Sequence, residues 1–157
     1  MSNDAAREIL VDGARALAHI DGLGPILQIL IGSIAERLEI GSAAIFIVDE
    51  LERLEIAASI GLGDSAVAGL AVAVGNPGHP IARTVADRES SFDVLPTVPG
   101  GPALRSHLPL IVMRNGTTIL LGVLALAHDR PIDTGMRPLL QAGGDLAAVA
   151  IERSRMG

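Results

Sequence analysis

The sequence predicts an α/β protein of the α+β type, with a central antiparallel sheet of five to six strands. The N- and C-terminal helices are expected on one face of the sheet, and a helix-and-loop excursion on the other. Residues 119–127 form the longest apolar run, too short for a membrane helix of about 20 residues but suited to a strand buried on both faces. Asn115-Gly116 predicts a tight hairpin before that strand. Helical periodicity marks both ends of the chain.

Composition narrows the classes of function. With 157 residues, of which 49% are hydrophobic and 19% charged, the chain is expected to fold as a single domain, 1–157, rather than to remain disordered. Phe46 and Phe92 are the only aromatic residues, so stacking platforms for single-stranded nucleic acid are missing. The net charge of -6 and the scattered arginines oppose binding to phosphate backbones or anionic lipid. Neither nucleic acid nor membrane is an expected partner.

The absence of cysteine removes several kinds of chemistry at once. Disulfides, thiolate metal ligands, cysteine nucleophiles and thioether-linked cofactors are all excluded. The segment 1–8 lacks a basic region followed by an apolar one, so it does not resemble a secretory signal. We therefore expect a cytoplasmic protein.

The N-terminal part, 1–40, is predicted to form two helices. Apolar residues recur at three- and four-residue steps over 5–20 and again over 25–39. Asn3 or Asp4 can cap the first helix, and Pro25 suits the first position of the second.

Residues 43–128 are predicted to hold the sheet and a cavity segment. Strands at 43–48 and 54–60 form a hairpin, and a short third strand is expected at 69–74. Gly61-Leu-Gly-Asp64 is interpreted as a turn, because the third glycine of the dinucleotide-binding fingerprint is absent.

The excursion follows the third predicted strand. A helix is expected at 80–88 and a short extended piece at 90–94. A loop is expected at 96–102, which contains three prolines and two glycines. The hairpin strands 108–114 and 119–127 come next, and a helix over 134–155 closes the chain. Pro138 predicts that this helix has a distorted first turn or starts nearer Gly135.

In this order the segments resemble a GAF domain, a small-molecule-sensing module with a profilin-like sheet. The segments that carry the resemblance are 44–50, 58–62, 78–88, 92–93, 105–106, 122–126 and 150–153. The resemblance implies a ligand cavity under residues 75–107 and terminal helices that often form a dimer bundle. Asp93 matches an aspartate that in this family commonly follows the short extended piece after the cavity helix. The Asn-Lys-Phe-Asp-Glu signature of cyclic-nucleotide-binding members is missing, as are the cysteines that attach bilin or reduce free methionine sulfoxide.

Several polar residues are candidates for chemistry at this cavity. His79 and His107 flank it and can hydrogen-bond a ligand or ligate haem, although haem is not expected because a lone histidine is more often structural. Arg83, Arg88 and Arg105 offer guanidinium forks to an anionic ligand, or else they lie on an exposed face or form ion pairs. The residues predicted to bind a ligand are Phe46, His79, Arg83, Phe92, Asp93, Arg105 and Ser106.

Catalysis is not expected. Ser106, His107 and Asp93 include the residue types of a nucleophilic triad, but neighbours on a strand point to opposite faces. No pair of histidines has metal-ligand spacing. The predicted function is a regulatory small-molecule sensor of a bacterial signalling system, with an undetermined ligand and cofactor, acting through a homodimeric bundle of terminal helices. The alternative is a structural dimerisation module with a degenerate, ligand-free cavity.

Overall fold

A computed structural model describes residues 2–96 and 104–156 and shows one five-stranded antiparallel sheet. Its strand order is β2-β1-β5-β4-β3. The strands are β1 (Ser42–Val48), β2 (Leu54–Ile60), β3 (Ser91–Val94), β4 (Leu104–Arg114) and β5 (Thr117–His128). β5 therefore lies in the middle of the sheet, as the long apolar run predicts. β4 and β5 are joined at Asn115 and Gly116, which both take positive φ, so the predicted hairpin is confirmed.

Three helices cover one face of the sheet. They are α1 (Ser2–His19), α2 (Leu23–Arg37) and α5 (Arg137–Met156). Their apolar stripes meet alternate residues of β1, β4 and β5 in the larger core, in which Ile34, Ile45 and Leu124 have almost no exposure. Burial of this apolar surface is the main favourable term in folding.

The opposite face carries α3 (Asp64–Ala73) and α4 (Pro80–Asp87). α4 packs Ile81 and Val85 against Phe46 and Val123 of the sheet in a second, smaller core. α3 lies more loosely, because none of its ten residues is buried. The helices on the first face are therefore packed more tightly against the sheet than α3 is on the second face.

The predicted third strand at 69–74 is wrong, because these residues lie in α3 and the loop after it. Gly63 is extended and Asp64 opens the helix, where its charge complements the helix dipole. The segment is rich in alanine, which has the highest helix propensity. The mixture of glycine, alanine and valine predicts a strand, but it also suits a helix with one loosely covered face.

Several boundaries also differ from the predictions, among them the starts of β4 and α5. β4 begins at Leu104, earlier than the predicted start at 108, and α5 begins at Arg137, later than a start nearer Gly135. Pro138 is therefore in the first helical turn, where an N–H group has no partner inside the helix. The predicted loop at 96–102 lies outside the described residues except for Pro96.

Gly122 of β5 allows the close approach of β1, so replacing it should weaken the sheet. A Cβ there would overlap the backbone carbonyl oxygen of Phe46, which cannot move without disturbing the strand. We expect Gly122→Ala to lower the free energy of unfolding by about 2 kcal/mol or more, measured by urea denaturation. Gly24→Ala is the control, since no atom lies within 4 Å of its added Cβ and α2 should gain helix propensity. Equal stability of the two variants would contradict the prediction.

Candidate functional site

A cavity of about 560 Å³ lies between the sheet and the α3–α4 side of the protein. Strands β1, β4 and β5 form its floor, and α3 with the start of α4 forms its roof. Its lining residues are Ser42, Ala43, Ala44, Leu62, Ala66, Gly69, Leu70, Ala73, His79, Pro80, Ile81, Pro96, Arg105, His107, Ala125, Leu126 and Ala127. The volume is in the range of small-molecule sites.

Small side chains in register create the space. Ala44 pairs with Ala125 and Ser42 with Ala127, so four small residues share one face of two neighbouring strands. One step further along the same face, Phe46 pairs with Val123 and the larger side chains fill the layer. The cavity therefore ends where the side chains on this face become large.

His79 caps α4 and also lines the cavity. Its Nδ1 accepts a hydrogen bond from the backbone N–H of Ile81 at 3.1 Å. The neutral ring therefore carries its proton on Nε2, which leaves that nitrogen as the donor. Burial lowers the pKa of His79 below its usual value of 6.5, which favours the neutral form. The residue has a structural role in addition to its place in the cavity wall.

His107 and Arg105 lie on the same face of β4. The His107 side chain is buried, and its Nδ1 lies 3.2 Å from Ser91 Oγ on β3. Burial, with smaller contributions from the nearby His79, Arg105 and His128, lowers the pKa of His107 from its usual value of 6.5 to about 4. His107 is therefore a neutral hydrogen-bonding group at neutral pH. Arg105 is the permanent cation of the wall, and one of its Nη1 hydrogens is donated to the carbonyl of Leu104.

The structure divides the predicted site residues between the two faces of the sheet. His79 and Arg105 line the cavity, and Phe46 is buried in the smaller core beside it. Arg83 is exposed on α4 and does not line the cavity. The other three, Phe92, Asp93 and Ser106, contact the opposite side, near the start of α5. His107, which the sequence places beside the cavity but which is not among the seven predicted ligand-binding residues, lies in the cavity wall two residues after Arg105.

Asp93 joins β3 to the start of α5. It has a left-handed φ of 58°, and its N–H donates to Ser106 Oγ at 3.1 Å. Its carboxylate accepts from the backbone N–H of Ile132 and from Arg137 Nη2, both at 2.9 Å. The Arg137 guanidinium also lies over the Phe92 ring, 4.6 Å from its centre.

Ser106 and His128 complete this arrangement. His128 Nδ1 lies 2.7 Å from the carbonyl oxygen of Arg130, which can only accept, so Nδ1 carries a proton. In the neutral ring, Nε2 then accepts the Ser106 hydroxyl proton at 2.8 Å. We call Asp93, Ser106, His128 and Arg137 the polar latch.

The polar latch contains a serine, a histidine and an aspartate, but its serine is not accessible to a substrate. Ser106 has no exposed surface and His128 is 3% exposed, because both face the terminal helices. Ser106 contacts His128 rather than His107, as the alternation of side chains on a strand requires. The polar latch therefore connects β3, β4 and β5 to the start of α5.

Other features of the described chain are less suitable as sites. A groove of about 590 Å³ borders α2, but its Asp12 and Ser33 are already hydrogen-bonded to each other at 2.7 Å. Within residues 2–96 and 104–156, no three potential metal ligands cluster. None of the helices described there is long and apolar enough to cross a membrane. The cavity under α3 and α4 is the candidate functional site.

Sequence comparisons find no relative, whereas comparison of structures does. No family model matches the sequence, and no curated protein matches it significantly. The GAF domain of an Acinetobacter phosphoenolpyruvate-protein phosphotransferase superposes with a TM-score of 0.74 at 16% identity, covering 99% of this chain and 95% of that one. The chain has the GAF-domain fold.

Two further structures place the same fold in different proteins. The free methionine-R-sulfoxide reductase of Neisseria meningitidis, solved with its substrate, matches with a TM-score of 0.72 at 14% identity, covering 96% of this chain and 90% of that one. Part of a methyl-accepting chemotaxis protein matches with a TM-score of 0.62 at 19% identity, covering 90% and 94%. The GAF fold by itself therefore does not specify an activity.

The lowered pKa of His107 predicts that acid weakens this GAF fold. Between about pH 6.5 and pH 4 the unfolded chain binds a proton at this residue that the folded chain does not, so stability is complete above that window and falls through it. We expect His107→Gln to remove about 3 kcal/mol of this fall, measured by urea denaturation across the window. His19→Gln, at an exposed position of α1, should keep the wild-type slope. Parallel slopes for both variants would contradict the prediction.

Proposed function

We propose that this chain is a regulatory domain that binds a small molecule in the cavity and transmits its occupancy to α5. The observation that carries the proposal is the connection from the cavity to the start of α5. His107 of the cavity wall contacts Ser91 of β3, and two residues later Asp93 of β3 holds Arg137 of α5. A ligand that moves His107 or the roof would act on the same short strand.

At the cavity, the elements of this connection are suited to move when a ligand binds. β3 follows α4 directly, and α4 together with α3 forms the roof. α3 has no buried residue, so little apolar burial opposes its displacement. A ligand filling the cavity would add contacts to α3 and fix it in place.

The α5 end of the connection is held by charge and geometry. Asp93 is two residues past Ser91, on the bulged strand, and its carboxylate is 18% exposed. Partly buried, charge-assisted hydrogen bonds are stronger than exposed ion pairs. The start of α5 therefore responds to the position of β3, and its far end packs beside α1.

A homodimer formed by the terminal helices is part of the proposal. Val11 of α1 is 43% exposed and Val149 of α5 is 40% exposed. Val11 also lines a surface groove of about 480 Å³ together with Leu10 and Leu139. A second copy would cover this apolar face, and the dimer would carry the change at α5 to a partner domain in a bacterial signalling protein of the cytoplasm.

The name of one matched structure supports regulation, because it is part of a methyl-accepting chemotaxis protein. The activity of the matched reductase is not proposed here, because this chain has no cysteine. We propose that it is not an enzyme.

The alternative is a structural dimerisation module whose cavity stays empty. The floor of alanines favours it, because small side chains leave space without supplying specific contacts. The two functions differ in one measurable respect: only the sensor has ligands that change α5.

The sensor requires that Asp93 couple the cavity to α5. We expect compounds that raise the Tm in a small-molecule screen to slow amide hydrogen exchange both in the cavity wall and over residues 137–143. In Asp93→Asn the compounds should still bind, but the protection of residues 137–143 should be lost. Asparagine tolerates the left-handed φ at this position, so the backbone is kept while the charge is removed.

Asp21→Asn, at an exposed turn position, is the matched control and should behave as wild type. Persistent protection of residues 137–143 in Asp93→Asn would refute the proposed coupling. A broad screen without any stabilising compound would favour the structural module.

The dimer is tested by placing a charge on the apolar face of the terminal helices. We expect the wild-type protein to sediment as a dimer at micromolar concentration and Val149→Glu to sediment as a monomer, because a buried unpaired carboxylate is costly at an interface. Val72→Glu is the control, since Val72 is 81% exposed on α3, away from α1 and α5. A wild-type monomer would show that the proposed dimer is wrong.

A further inference from the structure

We infer that the cavity takes an uncharged molecule with an apolar body and one hydrogen-bond acceptor, such as a carbonyl oxygen, which is bound by His79. This inference rests on the proposed ligand-binding function and specifies the class of ligand. It is drawn from the chemistry of the cavity wall and from the partners that its polar groups already have.

The apolar body is indicated by most of the lining. Ala44 and Ala125 are paired across β1 and β5 in the floor, and Leu62, Leu70 and Ile81 contribute larger apolar side chains to the wall. None of these side chains can form a hydrogen bond, so a polar group placed among them would lose its contacts with water without replacing them. The greater part of the cavity therefore suits hydrocarbon.

The hydrogen-bond donor is the Nε2–H group of His79. Because Nδ1 accepts the backbone N–H of Ile81 at 3.1 Å, the neutral ring carries its proton on Nε2. In the part of the chain that the structure describes, Nε2 makes no hydrogen bond, and it is not one of the fully buried nitrogens that lack a partner. An incoming group can therefore reach this donor.

A ligand that covers His79 has to replace the water at this donor. A pure hydrocarbon would leave the Nε2–H group buried and unpaired, which is costly. An acceptor at the edge of an otherwise apolar molecule restores the hydrogen bond and leaves the apolar body against the alanines. The wall therefore favours one acceptor rather than none or several.

His107 is the other histidine of the wall, but its proton is not assigned in the same way. Its Nδ1 lies 3.2 Å from the hydroxyl of Ser91, and a hydroxyl can donate or accept. His79 is the histidine whose tautomer is fixed by a backbone N–H, which can only donate. The acceptor is therefore assigned to His79.

The ionisable residues favour an uncharged ligand. No aspartate or glutamate occurs among the described residues that line the cavity, so a cation would find no counter-charge there. His79 and His107 are neutral at neutral pH, because burial lowers the pKa of each. The guanidinium of Arg105 already has partners within the protein, including the carbonyl oxygen of Leu104, so an anion would have to compete with them. A charged ligand would therefore lose its hydration without adequate compensation.

Four planar probes of the same shape test the inference: acetophenone, α-methylstyrene, benzoate and benzamidinium. They differ only in the group beside the ring, which is a ketone, an alkene, an anion or a cation. We expect acetophenone to bind at least about tenfold more tightly than either ion, because burial of a poorly paired charge is costly. Titrations followed by NMR at neutral pH and constant ionic strength give the affinities.

His79→Ser tests the hydrogen bond. Serine is a preferred N-cap residue, so the variant keeps a cap on α4 while it removes the ring donor. The affinity for acetophenone should fall by about fivefold or more, the equivalent of one neutral hydrogen bond, whereas that for α-methylstyrene should stay close to wild type. His19→Ser, at an exposed position of α1, is the matched control and should change neither affinity.

Two leucine variants locate the probe. Ala125→Leu fills the floor and Ala66→Leu fills the roof, and each should abolish the binding of acetophenone. Ala66 is exposed on α3, so its replacement is compatible with folding even if the floor variant is not. Each variant is checked for a wild-type unfolding transition in urea.

Each contrary result overturns the inference in a distinct way. An affinity for benzoate or benzamidinium comparable to that for acetophenone would refute the uncharged class. Parallel changes for acetophenone and α-methylstyrene in His79→Ser, or no change in either, would refute the contact with His79. Acetophenone binding that survives in a folded leucine variant would refute the site. No binding of acetophenone at millimolar concentration would refute the class of ligand, while the sensor function would still stand if the broad screen found another compound.

Discussion

The alternation of side chains along β5 is the constraint on which both faces of the protein depend. Leu124 and Leu126 point to the terminal helices and are almost fully buried there. Ala125 and Ala127 point the other way and leave the space of the cavity. A shift of one residue in register would put leucines in the cavity and alanines in the core, so the size of the site and the stability of the fold are fixed by the same pairing.

The same alternation on β4 separates two neighbouring polar residues. Ser106 faces the terminal helices and completes the polar latch, whereas His107 faces the cavity and stays neutral. Their positions explain why a serine and an adjacent histidine do not act together. They also explain how one strand contacts the cavity on one face and the helical layer on the other.

The two faces of the sheet also differ in how firmly they are packed. The larger core buries three helices, while α3 has no buried residue over the cavity. Ligand-binding elements are commonly drawn from the least stable part of a fold, because they must move at low cost. Under the proposed function, the firmly packed face keeps the dimer and α5 in place, and the loose face admits the ligand.

The sequence by itself determined the layered fold, the central strand and the Asn115-Gly116 hairpin, since these follow from local periodicity and turn chemistry. It also placed His79 and Arg105 at the cavity, through their positions in the resemblance to a GAF domain. It could not assign 69–74, where small apolar residues suit strand and helix alike. Only the tertiary structure decided that Phe92, Asp93 and Ser106 lie away from the cavity, in or beside a latch with His128 and Arg137. The reason is physical: these contacts join residues far apart in the chain, and which face each residue takes depends on bulges and strand pairing that no local pattern records.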